Sequence, residues 1–203
     1  MTGRLVAIVG PSGIGKTTII TVLVNREEGF ERVPNITTRP RRWYEVDGRD
    51  YLFVSKEKMC ALLTTDPTLG ESMVQINGNL FTVSHCEIGH IINSGGIGLI
   101  ELYIAKVPEF KEKYSDRFLS LYLLPPSLSV LAQRLKNYRL HNEAFVTKRM
   151  IQAERELNLA CGKMKMCFDA FVELSPELPI AVYQVKQTIA RLVLPKKVVK
   201  KKG

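Results

Sequence analysis

Residues 10–17 carry the clearest chemical signal in the chain. They read Gly-Pro-Ser-Gly-Ile-Gly-Lys-Thr and match a phosphate-binding loop: Gly, four residues, Gly, Lys, then Ser or Thr. The glycines allow several backbone N–H groups to converge on one anion. Lys16 can reach the terminal phosphates of a nucleoside triphosphate, and the Thr17 hydroxyl can join the shell of a magnesium ion. The predicted phosphate-binding residues are Gly10, Ser12, Gly13, Gly15, Lys16, Thr17 and Thr18.

Arginines occupy two further parts of the chain. Three of them, including Arg39 and Arg42, lie with two prolines in residues 33–42, a stretch too interrupted for a helix. Arg134 and Arg149 lie in stretches with helical spacing, where an arginine can equally be an ordinary surface residue. A guanidinium group binds phosphate oxygens two at a time. A phosphate loop combined with such arginines is typical of an enzyme that transfers a phosphoryl group between two substrates across a cleft.

The loop requires a strand before it and a helix after it. Residues 5–9 are an apolar run that predicts a buried parallel strand, and residues 18–24 predict the first turns of a helix. Residues 98–104 and 118–124 predict two more core strands, joined by a short helix over residues 108–114. This β-α-β pattern predicts parallel pairing and an α/β fold.

Residues 34–83 have a different pattern. A strand is predicted over residues 51–54, a helix over residues 56–63, and a hairpin around Asn77-Gly78, a pair that favours a type I′ turn. Because this stretch is rich in strands and antiparallel in character, we interpret it as a lobe inserted into the core.

The composition suits a chain that binds a polyanion. Lys and Arg number 29 against 20 Asp and Glu, a net charge of +9, and part of it lies in the basic tail, residues 195–203. We expect that tail to be disordered, and we predict no specific nucleic-acid site. The four cysteines form no close pair and no signal peptide is visible, so we expect reduced thiols in a cytoplasmic protein. No apolar run approaches the roughly 20 residues of a membrane helix.

Taken together, the motifs resemble those of the guanylate kinase family, in the same order from about residue 3 to residue 193. The matching segments are residues 10–17, Thr37-Thr38-Arg39 with Arg42, residues 47–54, Pro125-Pro126-Ser127 before Arg134-Leu135, and Lys148-Arg149-Met150 with Glu154. The resemblance implies an α/β fold of the P-loop nucleoside monophosphate kinase type. This fold has a core of parallel sheet flanked by helices, a strand-rich acceptor lobe inserted into that core, and a helical lid. It divides a single domain, residues 1–194, into a core (1–33, 96–125 and 168–194), an acceptor lobe (34–95) and a lid (126–167).

The resemblance assigns roles on the ATP side of the site. It implies that Lys16 and Thr17 serve the ATP phosphates and Mg²⁺. Arg134 and Arg149 resemble lid arginines that close over the same phosphates. The predicted catalytic residues are Lys16, Arg134 and Arg149, together with Arg39 on the acceptor side.

On the acceptor side, Arg39, Arg42 and Tyr51 resemble the family's clamp on the phosphate of the acceptor nucleotide. Glu71 is the candidate for the carboxylate that reads guanine, whose adjacent N1–H and N2–H groups a carboxylate can accept. The predicted substrate-binding residues are Asn35, Arg39, Arg42, Tyr51, Glu71, Phe81, Val83 and Glu101.

The acceptor half departs from the family pattern. Phe81-Thr82-Val83 stands where the family has Tyr-Gly-Ser or Tyr-Gly-Thr, so one hydroxyl that would face phosphate and one that would face the base are lost. A lost hydrogen bond to a charged group is worth about 1.5–3 kcal/mol. Asn35 replaces a serine but can still hydrogen-bond. Glu101 stands where the family has an aspartate, and it keeps a carboxylate on a side chain that is one methylene longer. Tyr103 stands where the family has a second aspartate, and it has no carboxylate.

Three functions therefore stay open. The leading hypothesis is a monomeric or homodimeric enzyme that transfers a phosphoryl group from ATP to a nucleoside monophosphate, most simply GMP or dGMP. The second is a kinase of the same fold with another acceptor, such as ribose 1,5-bisphosphate. The third is a non-catalytic guanylate-kinase-like module that binds a phosphorylated partner, which an intact phosphate loop argues against.

Overall fold

Nine strands and seven α-helices lie within residues 3–43, 45–137 and 143–193, the part of the chain that the computed structural model describes. The strands are β1 (Arg4–Val9), β2 (Phe30–Arg32), β3 (Asn35–Thr37), β4 (Tyr51–Phe53), β5 (Val74–Ile76), β6 (Asn79–Val83), β7 (Ile97–Glu101), β8 (Phe118–Leu124) and β9 (Ala170–Glu173). The helices are α1 (Lys16–Arg26), α2 (Lys56–Thr65), α3 (His85–Asn93), α4 (Val107–Tyr114), α5 (Leu128–Asn137), α6 (Glu143–Cys161) and α7 (Leu178–Val193).

The core is a parallel sheet with strand order β2-β7-β1-β8-β9. Its central strand, β1, pairs in parallel with β7, where Leu5 lies opposite Gly98, and with β8, where Leu5 lies opposite Phe118. After Arg4, every residue of β1 is buried. Helices cover both faces of such a sheet, and this explains why the strand is continuously apolar rather than alternating.

The two faces of the core sheet pack against different helices. Val6 and Ile8 of β1 belong to a cluster with apolar residues of α1, α5, α6 and α7. Leu5 and Ala7, which point the other way, belong to a second cluster with α3 and α4. All three predicted core strands are present: β8 has the predicted bounds, whereas β7 ends at Glu101 rather than at residue 104. The sheet therefore fixes where β1 ends and the phosphate loop begins.

The inserted lobe has its own sheet, with strand order β4-β3-β6-β5. The antiparallel character predicted for it is wrong in one pair: β3 and β4 run parallel, whereas β3–β6 and β5–β6 are antiparallel. The β5–β6 hairpin turns at Asn77 (φ 49°) and Gly78 (φ 77°), and two positive φ angles are what a type I′ turn requires. A small cluster around Ile36, Met59 and Leu69 packs the lobe internally.

At its end, the lobe differs from the predicted division. The predicted lobe extends to residue 95, but α3 buries Ile88, Ile91 and Ile92 against Leu5 and Ile100 of the core. The core therefore resumes at α3, directly after β6. Strand β2 was not predicted, because three residues are too few to give a periodic pattern.

Helices α5 and α6, in the predicted lid, are anchored to the core. Leu131 and Leu135 of α5 and Val146 of α6 are buried in the same cluster as β1 and α1. No helix among the described residues combines the length and apolar character needed to cross a membrane. The predicted basic tail, residues 195–203, lies outside the described residues.

Candidate active site

The phosphate loop joins the carboxyl end of β1 to the first residue of α1, Lys16. Gly15 precedes the helix at φ 106°, a left-handed conformation that favours glycine. Gly13 also has a positive φ (84°), and a methyl group there would lie 2.7 Å from Leu135 Cδ2. Both positions therefore require glycine, and the loop presents its N–H groups beside a helix N-terminus, an arrangement suited to an anion.

The ammonium group of Lys16 lies over this loop. Its Nζ donates to the carbonyl oxygens of Gly10 at 2.8 Å and Pro11 at 3.1 Å. Burial lowers the pKa of Lys16, while the charges of Glu101 and Glu156 act in the opposite direction. Among the described residues the ammonium donates to carbonyl oxygens, and it can transfer these hydrogen bonds to an arriving phosphate.

A polar network connects the loop with the lobe. The Thr17 hydroxyl donates to Glu101 Oε1 at 2.5 Å, at the carboxyl end of β7. Arg32 lies 3.6 Å from Glu101 and 3.6 Å from Asp50, and it donates to the Thr21 hydroxyl at 3.0 Å. Arg32 therefore joins the core to the lobe, because it lies between a carboxylate of the core, Glu101, and a carboxylate of the lobe, Asp50.

Asp50 is the lobe's end of that network. It accepts a hydrogen bond from the Val46 N–H at 2.8 Å and one from Arg49 Nη2 at 2.7 Å. Burial acts to raise the pKa of Asp50, but these hydrogen bonds and the charges of Arg49 and Arg32 outweigh it, and the pKa is lowered. Asp50 is thus held as a carboxylate.

The acceptor-side arginines meet at one buried carboxylate. Arg39 forms a two-bond fork with Glu45, at 2.7 and 3.0 Å, and its Cζ lies 5.4 Å from the ring centres of both Tyr51 and Phe53. The backbone N–H of Arg42 donates to the same carboxylate at 2.8 Å. Burial, followed by the charge of Glu101, raises the pKa of Tyr51, so its hydroxyl stays protonated and can donate.

Arg149 of α6 enters the cleft from the lid. Its guanidinium lies over the Phe145 ring, with Cζ 5.1 Å from the ring centre. Burial lowers the pKa of Arg149, and the charge of Arg42 lowers it further. Since Arg149 also lowers the pKa of Lys16, its charge acts on both the loop and the acceptor side. It lines the same cleft as Lys16 and Arg42.

Glu156 of the same helix also faces the cleft. Burial raises its pKa, and the nearby charge of Lys16 opposes that effect. The side chain lines the cleft together with Arg149. Glu156 therefore lies close to the loop lysine on the lid side of the cleft.

The far end of the cleft is aromatic and contains one unsatisfied acceptor. Phe81 packs edge-to-face against Tyr103, with ring centres 5.5 Å apart. Asn35 is 7% exposed and donates through Nδ2 to the backbone oxygen of Glu101 at 2.8 Å. That bond fixes the amide orientation and leaves Oδ1 buried, with no hydrogen-bond donor among the described residues. A ligand that donates a hydrogen bond would remove this cost.

These groups line a single cleft of about 800 Å³ between core, lobe and lid. The structure brings most of the predicted site residues to its walls: Gly10, Ser12, Gly13, Gly15, Lys16, Thr17, Thr18, Asn35, Arg39, Arg42, Tyr51, Phe81, Glu101 and Arg149.

Three predicted site residues lie elsewhere. Glu71 does not face the cleft, because its carboxylate pairs with Lys113 of α4 on the outer surface. Val83 is buried in the apolar cluster between the core sheet and α3. Arg134 lies behind the loop, where it donates to the carbonyl oxygens of Ile14 at 3.0 Å and Pro176 at 2.9 Å. Glu71 and Val83 cannot contact a base in this arrangement, and Arg134 supports the loop rather than covering phosphates.

The sequence reading missed the charged residues that organise the cleft. They are Arg32, Glu45, Asp50 and Glu156. Asp50 lies in residues 47–54, which match the family pattern, and Glu45 lies just before them, but neither has a predicted role. Glu156 lies seven residues after Arg149, so the two side chains lie on one face of α6. This spacing is the sequence feature that could have predicted Glu156 as a residue of the cleft.

Comparison with known proteins identifies relatives over most of the chain. The sequence profile of the guanylate kinase family matches residues 2–190. A guanylate kinase of Trichodesmium erythraeum is 29% identical over 159 residues, covering 78% of this chain and 84% of the relative. A guanylate kinase of Synechocystis sp. is 30% identical over 158 residues, covering 78% and 81%.

A solved structure supports the fold. The crystal structure of guanylate kinase from Anaplasma phagocytophilum superposes with a TM-score of 0.73 at 17% identity, covering 96% of this chain and 88% of that one. The predicted P-loop nucleoside monophosphate kinase fold is thereby confirmed.

The charge network at Asp50 gives a pH-dependent prediction. Since the pKa of Asp50 is lower in the folded chain than the value of about 4 for an unfolded chain, its contribution to stability is present above about pH 4. It is lost as the pH falls through the folded-state pKa. We expect Asp50→Asn to be less stable than wild type at pH 6–8 and the difference to shrink below about pH 4.

Urea unfolding across this pH range measures the effect. Asp116→Asn is the matched control, because that carboxylate is exposed. A difference between wild type and Asp50→Asn that stayed constant down to about pH 2 would contradict the assignment.

Proposed function

The chain belongs to the guanylate kinase family of nucleoside monophosphate kinases, and we propose that it transfers the terminal phosphoryl group of ATP to GMP or dGMP. One observation carries the proposal: the loop lysine, Lys16, and the clamp arginines, Arg39 and Arg42, line the same cleft. In phosphoryl transfer the attacking and leaving oxygens must lie roughly in line, so donor and acceptor phosphates have to face each other in this way.

Positioning and charge supply the rate in this mechanism. The ATP phosphates bind the loop N–H groups and Lys16, and the acceptor phosphate binds Arg39, Arg42 and the Tyr51 hydroxyl. Arg149 offsets the charge of the moving phosphoryl group, since it acts electrostatically on both sides. Movement of lobe and lid towards the core would exclude water, so that ATP hydrolysis does not compete with transfer.

Magnesium suits the oxygen donors beside the loop. The Thr17 hydroxyl and the Glu101 carboxylate are hydrogen-bonded, so both can reach one point next to the terminal phosphates. These are the hard oxygen groups with which Mg²⁺ is bound in proteins, usually together with phosphate and water. When bound, the ion would neutralise charge on the ATP phosphates.

Recognition of the base falls to Asn35 in this proposal. Guanine presents N1–H and N2–H donors, and the buried Asn35 Oδ1 is an acceptor that requires one. The turn of Glu71 away from the cleft favours a second candidate function, a kinase of the same fold with another phosphate-bearing acceptor. A non-catalytic binding module is disfavoured by the complete phosphate loop. A cytoplasmic location and a monomeric or homodimeric state stay predictions.

We expect Lys16→Ala to lower kcat for GMP-dependent ADP formation by about 100-fold or more, because the loop loses its only side-chain charge on the ATP phosphates. A coupled assay of ADP release measures this. Lys58→Ala, an exposed lysine on α2, serves as the control and should match wild type. Unchanged turnover in Lys16→Ala would refute catalysis at this loop.

We expect Asn35→Ala to lower kcat/KM for GMP about tenfold while the KM for ATP changes less than about twofold, since a single hydrogen bond to the base is lost. Initial rates at varied GMP and varied ATP separate the two effects. The matched control is Asn79→Ala, which lies on the hairpin at the rim of the cleft. Equal changes in both KM values would mean that Asn35 only supports the fold.

A further inference from the structure

We propose that Glu45 is a positioning residue of the acceptor site, which orients Arg39 so that one defined edge of its guanidinium faces the acceptor phosphate. The inference rests on the proposed function, since it concerns the same clamp. Glu45 is 4% exposed and lines the cleft, although its carboxylate would repel a phosphate there. Its position therefore requires an explanation other than direct contact with the substrate.

The hydrogen bonds of Arg39 show which edge is occupied. A guanidinium group carries five N–H bonds. Nη1 uses two of them, on Glu45 Oε2 at 3.0 Å and on the Pro40 carbonyl at 2.8 Å, and Nη2 uses one on Glu45 Oε1 at 2.7 Å. The Nε–H and the outer N–H of Nη2 have no partner among the described residues, and these two form a second fork suited to phosphate oxygens.

Two rings and one carboxylate together set the position and the orientation of the Arg39 guanidinium. Tyr51 and Phe53 each lie 5.4 Å from Arg39 Cζ, and they hold the position of the group without setting its rotation in the plane. The fork to Glu45 sets that rotation. Arg39 is therefore oriented before any ligand arrives, which lowers the entropy that binding must overcome.

Glu45 is itself fixed by its neighbours. Its Oε2 also accepts the backbone N–H of Arg42 at 2.8 Å, and its own backbone oxygen accepts from Arg41 Nη1 at 2.8 Å. The Arg42 guanidinium lies 3.7 Å from Oε1. One buried carboxylate thus offsets the mutual repulsion of the clamp arginines and ties Arg39 and Arg42 to the same point.

In the alternative role Glu45 would be a placeholder: its carboxylate would occupy the phosphate site, and an arriving phosphate would have to displace it. The contacts favour positioning, because displacement would strip a buried carboxylate of three hydrogen bonds at once. The two roles also predict opposite signs. Neutralising a placeholder would tighten phosphate binding, whereas neutralising a positioning group would weaken it.

The test compares Glu45→Gln with wild type, since glutamine keeps the shape and one acceptor oxygen but removes the charge. The matched control is Glu57→Gln, an exposed glutamate on α2 of the same lobe. Two readouts are measured: KM for GMP and for ATP in steady-state turnover, and the Kd for inorganic phosphate by calorimetry, with ADP present to occupy the loop. Thermal unfolding of all three proteins identifies any general loss of folding.

We expect Glu45→Gln to raise the KM for GMP and the Kd for inorganic phosphate about tenfold, with a KM for ATP within about twofold of wild type. An unchanged or tighter phosphate Kd would overturn the proposal, as would the absence of phosphate binding to the wild-type ADP complex. Phosphate binding that weakens as expected, in a wild type that does not turn over GMP, would instead refute GMP as the acceptor and leave the role of Glu45 standing.

Discussion

Concentrated positive charge in a partly buried cleft is the constraint on which this structure depends. Lys16, Arg39, Arg42 and Arg149 line one cavity, and cations so close together repel one another where water is scarce. Carboxylates from three different parts of the fold lie among these cations: Glu45 from the lobe, which is buried, and the half-buried Glu101 from the core sheet and Glu156 from the lid. Glu45 contacts Arg39 and Arg42 and leaves one edge of the Arg39 guanidinium available to phosphate.

The fold places these charges by ordinary means. Parallel strands β1 and β7 end side by side, so the phosphate loop and Glu101 meet at one edge of the sheet, where ligands of α/β proteins bind. The lobe has its own sheet and small core, so it can present Glu45 and Asp50 as a unit. Arg32 connects that unit to Glu101, and the positions of acceptor and donor sites are therefore linked.

The features that could be predicted from sequence are those that short-range geometry determines. The phosphate loop, the hairpin turn at Asn77-Gly78 and the core strands each depend on a few consecutive residues. Glu71 and Arg134 were misplaced because spacing along the chain does not set the direction of a side chain. The Glu71 carboxylate pairs with Lys113 at the outer surface, and the Arg134 guanidinium donates to the carbonyl oxygens of Ile14 and Pro176. The role of Glu45 depends on contacts within a folded turn, which no periodic pattern reveals.

The most direct test is the acceptor specificity of the full chain. ATP consumption would be measured with GMP, dGMP, AMP, UMP, dTMP and ribose 1,5-bisphosphate in parallel, at equal concentrations and with Mg²⁺. We predict turnover with GMP and dGMP and rates at least about tenfold lower with the other acceptors, since the cleft combines a phosphate clamp with an acceptor for a base N–H. Turnover confined to another acceptor, or none with any of them, would contradict the account.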